Sequence, residues 1–188
     1  MNTTNSKLKL SQNFWLNEFT KEDPTPFQLS LLKILAKNIQ TVRNKLNENV
    51  SWRLDQTKEI GVAINNGVRT AADYERLKAA GWKPSPDSDH MCGLSPFSAK
   101  PTLGAADTDY TNTNLSNTEI FKKIVEWSEQ GVVNFGQIIH EYASSGKSDW
   151  IHLATHWNDV FTDKVLANPR QHYLISDDGG ATYKFYKV

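Results

Sequence analysis

The chain has 188 residues, of which 38% are hydrophobic, which is enough for a single domain with a buried core. Its 21 basic and 21 acidic residues give a formal net charge of zero, which excludes a global attraction to nucleic acid or anionic membranes. The single cysteine, Cys92, excludes an internal disulfide, and no apolar run is long enough to span a membrane. The polar start of the chain predicts no signal peptide, so we expect synthesis in the cytoplasm.

The first apolar stretch follows a polar start, residues 1–7, that we expect to be disordered. Residues 8–20 then carry closely spaced apolar side chains. We expect this stretch to form a short strand or turn whose Phe14, Leu16 and Phe19 fill part of the core.

A long helix is predicted to begin at Pro26, a residue that suits the first helical position. Thr25 can cap the helix, and Gln28 completes a capping box. Apolar residues then recur every three or four positions until the helix ends near residues 47–49, which predicts one buried face. The residues of that face are Phe27, Leu31, Leu35, Ile39, Val42 and Leu46.

A buried strand and a short helix come next. The apolar run at 60–65 predicts the strand, and the Asn-Gly pair after it ends the run. Arg69 follows the end of this strand, a place where ligands tend to bind. Residues 71–80 predict the short helix.

A third helix is predicted in the second half of the chain. Ser116 and Glu119 form its capping box, and it is expected to end near Gly131. Its core-facing residues are predicted to be Ile120, Ile124, Val125 and Trp127.

Two hairpins complete the predicted elements. Strands at 135–142 and 150–154 are joined by a turn at 144–147, and strands at 173–176 and 182–186 flank an Asp-Gly turn. Helices interspersed with antiparallel hairpins predict an α+β fold.

Three residues in the middle of the chain have side chains that suit a metal ion. These are His90, Asp107 and His152, which offer two imidazole nitrogens and one carboxylate. Zinc takes such ligands, and three protein ligands leave a fourth position open for water, as catalytic zinc requires. The sequence therefore predicts a Zn²⁺ site. Asp109 is the alternative carboxylate, and Cys92 is a possible sulfur ligand that we expect instead to be buried and inert.

The residues around these three form a recognisable ordered set. Ser-Asp-His-Met-Cys-Gly at 88–93, Gly-Ala-Ala-Asp at 104–107 and Asp-Trp-Ile-His at 149–152 resemble the zinc D-alanyl-D-alanine carboxypeptidase family. That family includes phage L-alanyl-D-glutamate endolysins, and its fold is shared by the hedgehog signalling domain. The resemblance covers roughly residues 8–155.

The resemblance implies a fold and a domain organisation. We expect a single zinc peptidase-like domain over residues 1–188, built on a small antiparallel sheet that carries the zinc site and is flanked by helices. Residues 160–188 are then a C-terminal β-hairpin extension.

The resemblance also implies an activity: hydrolysis of an amide bond in the stem peptides of peptidoglycan. Either the D-Ala-D-Ala or the L-Ala-D-Glu bond fits, in a phage or prophage lysin that reaches the cell wall once it is released. The alternative is a non-catalytic zinc module on the same fold, used for binding or as part of a phage particle. No nucleic acid partner is expected.

Roles for individual residues follow from the same resemblance. Asp149 is expected to act as the catalytic base, Arg69 to hold a substrate carboxylate, and Ser88 to donate a hydrogen bond near the zinc or the substrate. Asp149 and His152 are three positions apart, so they lie on opposite faces of a straight strand. Asp149 must therefore lie in a turn or at a bulge to serve the metal site. Glu141 is the competing base, although the resemblance favours a role for it in anchoring a histidine or the substrate amine.

The spacing between the first two ligands departs from the family motif. Asp107 lies 17 positions after His90 (107 − 90), roughly ten more than in the family motif. Both flanking motifs are kept, which favours an insertion at 94–103 within an intact site. We expect this insertion to form one wall of the cleft and to narrow substrate choice.

Overall fold

The six-stranded mixed sheet and the helices that pack on it give an α+β fold. The computed structural model describes residues 7–98, 100–142, 149–156, 159, 172–178 and 180–188. The helices of this part of the chain are α1 (Leu16–Phe19), α2 (Pro26–Asn47), α3 (Ala71–Ala79) and α4 (Asn117–Glu129). Its strands are β1 (Gly61–Asn66), β2 (Gly93–Leu94), β3 (Pro101–Thr102), β4 (Ala105–Thr111), β5 (Phe135–Glu141), β6 (Trp150–Thr155), β7 (His172–Ser176) and β8 (Lys184–Phe185).

The strand order in the large sheet is β1-β4-β6-β5-β7-β8. All neighbouring strands are antiparallel except β5 and β7, which are parallel. The expectation of a purely antiparallel sheet is therefore wrong at that pair. Because β4 already occupies the second edge of β6, β7 takes the free edge of β5, and it runs in the same direction as β5.

The long helix α2 begins as its sequence predicts. Thr25 Oγ1 accepts a hydrogen bond from Gln28 N at 3.2 Å, and Gln28 Oε1 accepts one from Thr25 N at 2.9 Å. The expected apolar face is buried except at its first residue, because Phe27 is 42% exposed. The buried residues of α2 are Leu31, Leu32, Leu35, Ala36, Ile39, Gln40, Val42 and Leu46.

The start of the chain also fills the core as expected. Phe14, Leu16 and Phe19 are at most 2% exposed, although the last two lie on the helical turn α1 and not on a strand. The predicted disorder of residues 1–7, apart from Lys7, and the predicted turn at 144–147 lie outside the described residues.

The two faces of the sheet differ in what covers them. Ile138 of β5 and Ile151 and Leu153 of β6 belong to the core cluster formed with α2 and α4. Side chains alternate along a strand, so their neighbours point to the other face. That second face carries the polar residues that line a cavity.

Among the described residues, no helix is long and apolar enough to cross a membrane.

Leu35 is a direct test of the core, because its side chain is fully buried in α2. We expect Leu35→Ala to lower the free energy of unfolding by about 2–5 kcal/mol, the usual cost of such a cavity. The matched control is Leu54→Ala, since Leu54 is 70% exposed, and we expect it to change stability by less than about 0.5 kcal/mol. Urea unfolding followed by circular dichroism measures both, and equal losses would contradict this core.

Candidate metal centre

Three buried side chains meet at the polar face of the sheet. His90 Nε2 lies 3.2 Å from Asp107 Oδ1, and His152 Nδ1 lies 3.1 Å from the same oxygen. The two ring nitrogens are 3.1 Å apart. All three residues are at most 5% exposed, so the predicted ligands converge in a buried cluster that could hold a metal ion.

The sheet register positions two of the three residues. Asp107 of β4 is directly opposite His152 of β6, and side chains of opposite residues lie on the same face. Asp107 also accepts a hydrogen bond from Asn66 Nδ2 on β1, at 3.1 Å. The carboxylate is thus fixed from both neighbouring strands.

His90 comes from outside the sheet, on the short 3-10 turn Asp89–Met91. Ser88 caps this turn, since its hydroxyl accepts a hydrogen bond from His90 N at 3.4 Å. The His90 ring donates from Nδ1 to the carbonyl of Gly67 at 2.7 Å. A carbonyl only accepts, so the proton lies on Nδ1, and in the neutral ring the lone pair of Nε2 faces the cluster.

The geometry fits a tetrahedral ion. Zinc–ligand bonds of about 2.0–2.1 Å place the ligand atoms of a tetrahedral site about 3.3 Å apart. The three donor atoms here are 3.1–3.2 Å apart, so one ion fits at equal distance from all of them. Zinc-binding histidines also donate their second ring nitrogen to a carbonyl or carboxylate, as His90 does to Gly67.

The electrostatics keep the carboxylate ionised, as a metal ligand must be. Burial alone would raise the pKa of Asp107, but His90 and His152 hold that pKa well below its ordinary value. Burial lowers the pKa of His152, so this ring favours its neutral, metal-binding form. Burial also opposes the charged form of His90, but the charge and hydrogen bond of Asp107 outweigh it and raise that pKa.

A cavity of about 550 Å³ opens beside the cluster. The predicted residues that line it are His90, Asp107, His152, Arg69 and Ser88. Glu141 lines it too, as do Trp150 and Tyr183, to which the sequence analysis gave no role. Trp150 and Tyr183 reach the cavity because of the strand register and the placement of the C-terminal hairpin. Local sequence does not predict either of these features.

Glu141 is the acidic residue of β5 that faces this cavity, and it is 9% exposed. Burial and the nearby charge of Asp107 raise its pKa to about 7, although His90 and Arg69 act in the opposite direction. A carboxyl group with this pKa can both accept and donate a proton near neutral pH.

Arg69 is half-buried and lines the cavity. Its backbone N–H donates to the carbonyl of His90 at 2.7 Å, so its position is tied to that of a ligand. Burial lowers the pKa of the guanidinium, while the carboxylates of Asp107 and Glu141 raise it. Among the described residues the guanidinium has no hydrogen bond or ion pair, which leaves its donors available to a bound molecule.

Asp149 lies elsewhere. Its Oδ2 is 2.6 Å from Nε2 of His140, a residue that is 1% exposed and stacks on Phe121 of α4. Asn117 of α4 also donates to the Asp149 carbonyl, at 3.0 Å. The structure therefore places Asp149 on the helix side of the sheet and does not bring it to His152. The two residues are three positions apart, and on a straight strand such residues point to opposite faces.

The two alternative ligands also lie apart from the cluster in the described structure. Asp109 accepts hydrogen bonds from Asn65 at 2.7 Å and from Asn117 at 3.4 Å. Cys92 is buried in the apolar core, and burial raises the pKa of its thiol to about 12. Asp107 is the carboxylate of the cluster.

The insertion does not line the cavity with any of its described residues. Its ends pair as β2 and β3, and its side chains reach the segment 82–89, which does line the cavity. Lys100 forms an ion pair with Asp87 at 2.8 Å, and Ser98 donates a hydrogen bond to the same carboxylate. The expectation that the insertion forms one wall of the cavity is therefore wrong for its described residues. The insertion instead packs against segment 82–89, which forms that wall.

Comparison with known proteins finds no matching family model, no matching curated protein and no matching solved structure. The argument for function therefore rests on the geometry of this site and on the motifs of the sequence.

Measurements of zinc affinity test whether Asp107 or Asp109, two positions away on the same strand, is the ligand. We expect Asp107→Asn to lower zinc affinity by more than about 100-fold, because losing a ligand costs more than losing the partner of a ligand. Asp109→Asn is the matched control and should bind zinc like the wild type. Isothermal titration calorimetry and elemental analysis measure both, and the opposite ranking would make Asp109 the ligand.

Proposed function

We propose that this protein is a zinc-dependent peptidase that hydrolyses an amide bond in the stem peptides of peptidoglycan. The observation that carries the proposal is one cavity that contains three metal-binding atoms 3.1–3.2 Å apart and the buried carboxyl group of Glu141. The order of the three motifs, which resembles the zinc carboxypeptidase family, supplies the substrate class. The same resemblance supports a hedgehog/DD-peptidase-like fold.

Zinc is the metal that this donor set favours. Two imidazole nitrogens and one carboxylate oxygen are ligands that zinc takes in catalytic sites. Calcium and magnesium prefer oxygen ligands and more of them. Three protein ligands beside an open cavity leave room for a water molecule or a substrate oxygen.

Hydrolysis needs a base for water, an acid for the leaving amine and a polarised carbonyl. Zinc bound here would supply the polarisation and would lower the pKa of water towards about 7. Glu141 accepts one proton from the attacking water as the new C–O bond forms. It then returns that proton to the amine nitrogen as the C–N bond breaks, so the products are a carboxylic acid and an amine.

Arg69 gives the cavity a group for substrate binding. A guanidinium recognises a carboxylate through two parallel hydrogen bonds. Stem peptides carry free carboxylates, and Arg69 has no competing ion pair among the described residues. Ser88 lines the same cavity, and its hydroxyl accepts a hydrogen bond from His90 N, which caps the turn that carries His90. We therefore propose that Arg69 binds the substrate and that Ser88 mainly positions His90.

Incubation of purified peptidoglycan with the zinc-loaded protein tests the proposed function. We expect new peptide termini at one bond type, either D-Ala-D-Ala or L-Ala-D-Glu, and mass spectrometry identifies them. Removal of zinc by a chelator should abolish them and its return should restore them. A zinc-loaded protein that yields no new termini from any peptidoglycan type would instead support the non-catalytic binding or phage structural module.

A pair of variants identifies the base. Glu141→Gln keeps the shape of the side chain but cannot accept a proton, so we expect kcat to fall by about 100-fold or more. Asp149→Asn should keep most of its activity and lose stability, because His140 loses an ionised partner.

Steady-state kinetics and urea unfolding distinguish these roles when both variants carry full zinc. Asp149 as the base remains the prediction of the motif. A large loss of kcat in Asp149→Asn, with Glu141→Gln near wild type, would establish it and would exclude Glu141.

A further inference from the structure

The turn of the C-terminal hairpin borders the cavity and is held by side-chain hydrogen bonds. Asp178 Oδ1 accepts hydrogen bonds from Ser176 Oγ at 2.9 Å and from Thr182 N at 2.8 Å. Asp178 Oδ2 accepts one from Thr182 Oγ1 at 2.7 Å, and Gly180 N donates to Ser176 Oγ at 2.7 Å. These bonds hold residues 180–183 in one place relative to β7, which is itself paired with β5.

Two residues of this hairpin, Gly180 and Tyr183, line the cavity with the metal ligands. A Cβ atom built on Gly180 would lie 2.5 Å from Tyr183 Oη and 3.7 Å from Glu141 Oε2. The phenol hydroxyl and the carboxylate that we propose as the base therefore border the same point of the cavity wall. Gly180 leaves that point open because it has no side chain, and its φ of +88° suits glycine.

The hydroxyl of Tyr183 is available as a donor. No residue of the described structure forms a hydrogen bond with it. Partial burial and the charges of Glu141 and Asp107 raise the pKa of Tyr183 to about 12, so the hydroxyl keeps its proton at neutral pH. Tyr183 therefore offers a neutral O–H beside the base.

We propose that Tyr183 is a catalytic residue whose hydroxyl donates a hydrogen bond to the carbonyl oxygen of the amide bond that is cut. The inference rests on the proposed peptidase function. During attack the water oxygen and the carbonyl oxygen become bonded to one carbon atom, so the groups that serve them must border one small site. Glu141 and Tyr183 do so. A donor at the carbonyl oxygen is most effective when negative charge develops there, because its bond strengthens in the transition state.

Tyr183→Phe tests this role, since it removes only the hydroxyl from a side chain that is 48% exposed. We expect kcat on the stem-peptide substrate to fall by about 100-fold, the scale for removing one such donor. KM and zinc content should stay near wild type. The matched control is Tyr186→Phe on the same hairpin, whose ring packs on Phe121 on the helix side of the sheet. This control should keep full activity.

A second measurement does not depend on turnover. A phosphinate analogue of the stem peptide mimics the tetrahedral species, and calorimetry measures its affinity for the zinc-loaded protein. We expect Tyr183→Phe to weaken the binding of this analogue by a factor similar to its loss in kcat, and to leave the binding of the hydrolysed product nearly unchanged.

Gly180→Ala supplies an independent arm. The added methyl group would meet Tyr183 Oη at 2.5 Å and so displace the hydroxyl at the end of a flexible side chain. We expect a loss of kcat in this variant. Alanine at a φ of +88° also strains the backbone, and this cost is the same in both backgrounds. In the Tyr183→Phe background the clashing oxygen is absent, so Gly180→Ala should cause a smaller further loss of kcat than it does in the wild type.

The outcomes separate the two proposals. An active wild type with an equally active Tyr183→Phe variant overturns the role of Tyr183 and leaves the peptidase function intact. A loss that appears in KM alone would make Tyr183 only a wall of the binding site and also overturns the proposal. A zinc-loaded wild type without activity on peptidoglycan overturns both.

Discussion

The register between β4 and β6 is the constraint on which the site depends. It places Asp107 opposite His152, and a slip of one residue between the two strands would put the two side chains on opposite faces of the sheet. A buried carboxylate is costly unless it is paired, and here the amide of Asn66 donates to one oxygen while ring nitrogens of His90 and His152 lie 3.1–3.2 Å from the other. The same pairing that relieves this cost brings two of the three ligand atoms together. His90 is then held against them by its bond to Gly67.

Alternation along the strands assigns the remaining acidic residues to different tasks. On β5, His140 points to the helices and Glu141 to the cavity, although they are neighbours in sequence. Asp149 lies on the helix side of the sheet and pairs with His140. His152 of β6 lies on the other side, in the cluster with His90 and Asp107. The two residues of the Asp-x-x-His motif thus lie on opposite sides of the sheet. The carboxylate that enters the cavity comes from the neighbouring strand.

Local sequence was sufficient for much of the fold and for the three residues of the cluster that could hold a metal ion. The capping boxes at Thr25 and Ser116 and the apolar periodicity fixed two helices, and the motifs identified His90, Asp107 and His152. The choice between Asp149 and Glu141 was not local, because it depends on which face of the sheet each residue takes. Tyr183 was beyond reach for a similar reason: it comes to the cavity only because β7 pairs with β5, across a long separation in sequence.

Residues 94–103 show how the chain can leave and return between His90 and Asp107 while these two side chains stay together. The ends of this segment are held by His90 on one side and β4 on the other, so the extra residues leave and return as the short pair β2–β3. Loop closure therefore costs little in entropy. The tip does not remain free: Phe97 contacts Tyr74 of α3 with ring centroids 4.1 Å apart, and Lys100 binds Asp87. An exposed ion pair contributes little, so the attachment depends more on the aromatic contact and on the buried Ser95, whose hydroxyl donates a hydrogen bond to the carbonyl of Pro86. The insertion thus contacts the cavity wall through the segment that carries Asp87, and none of its described residues lines the cavity.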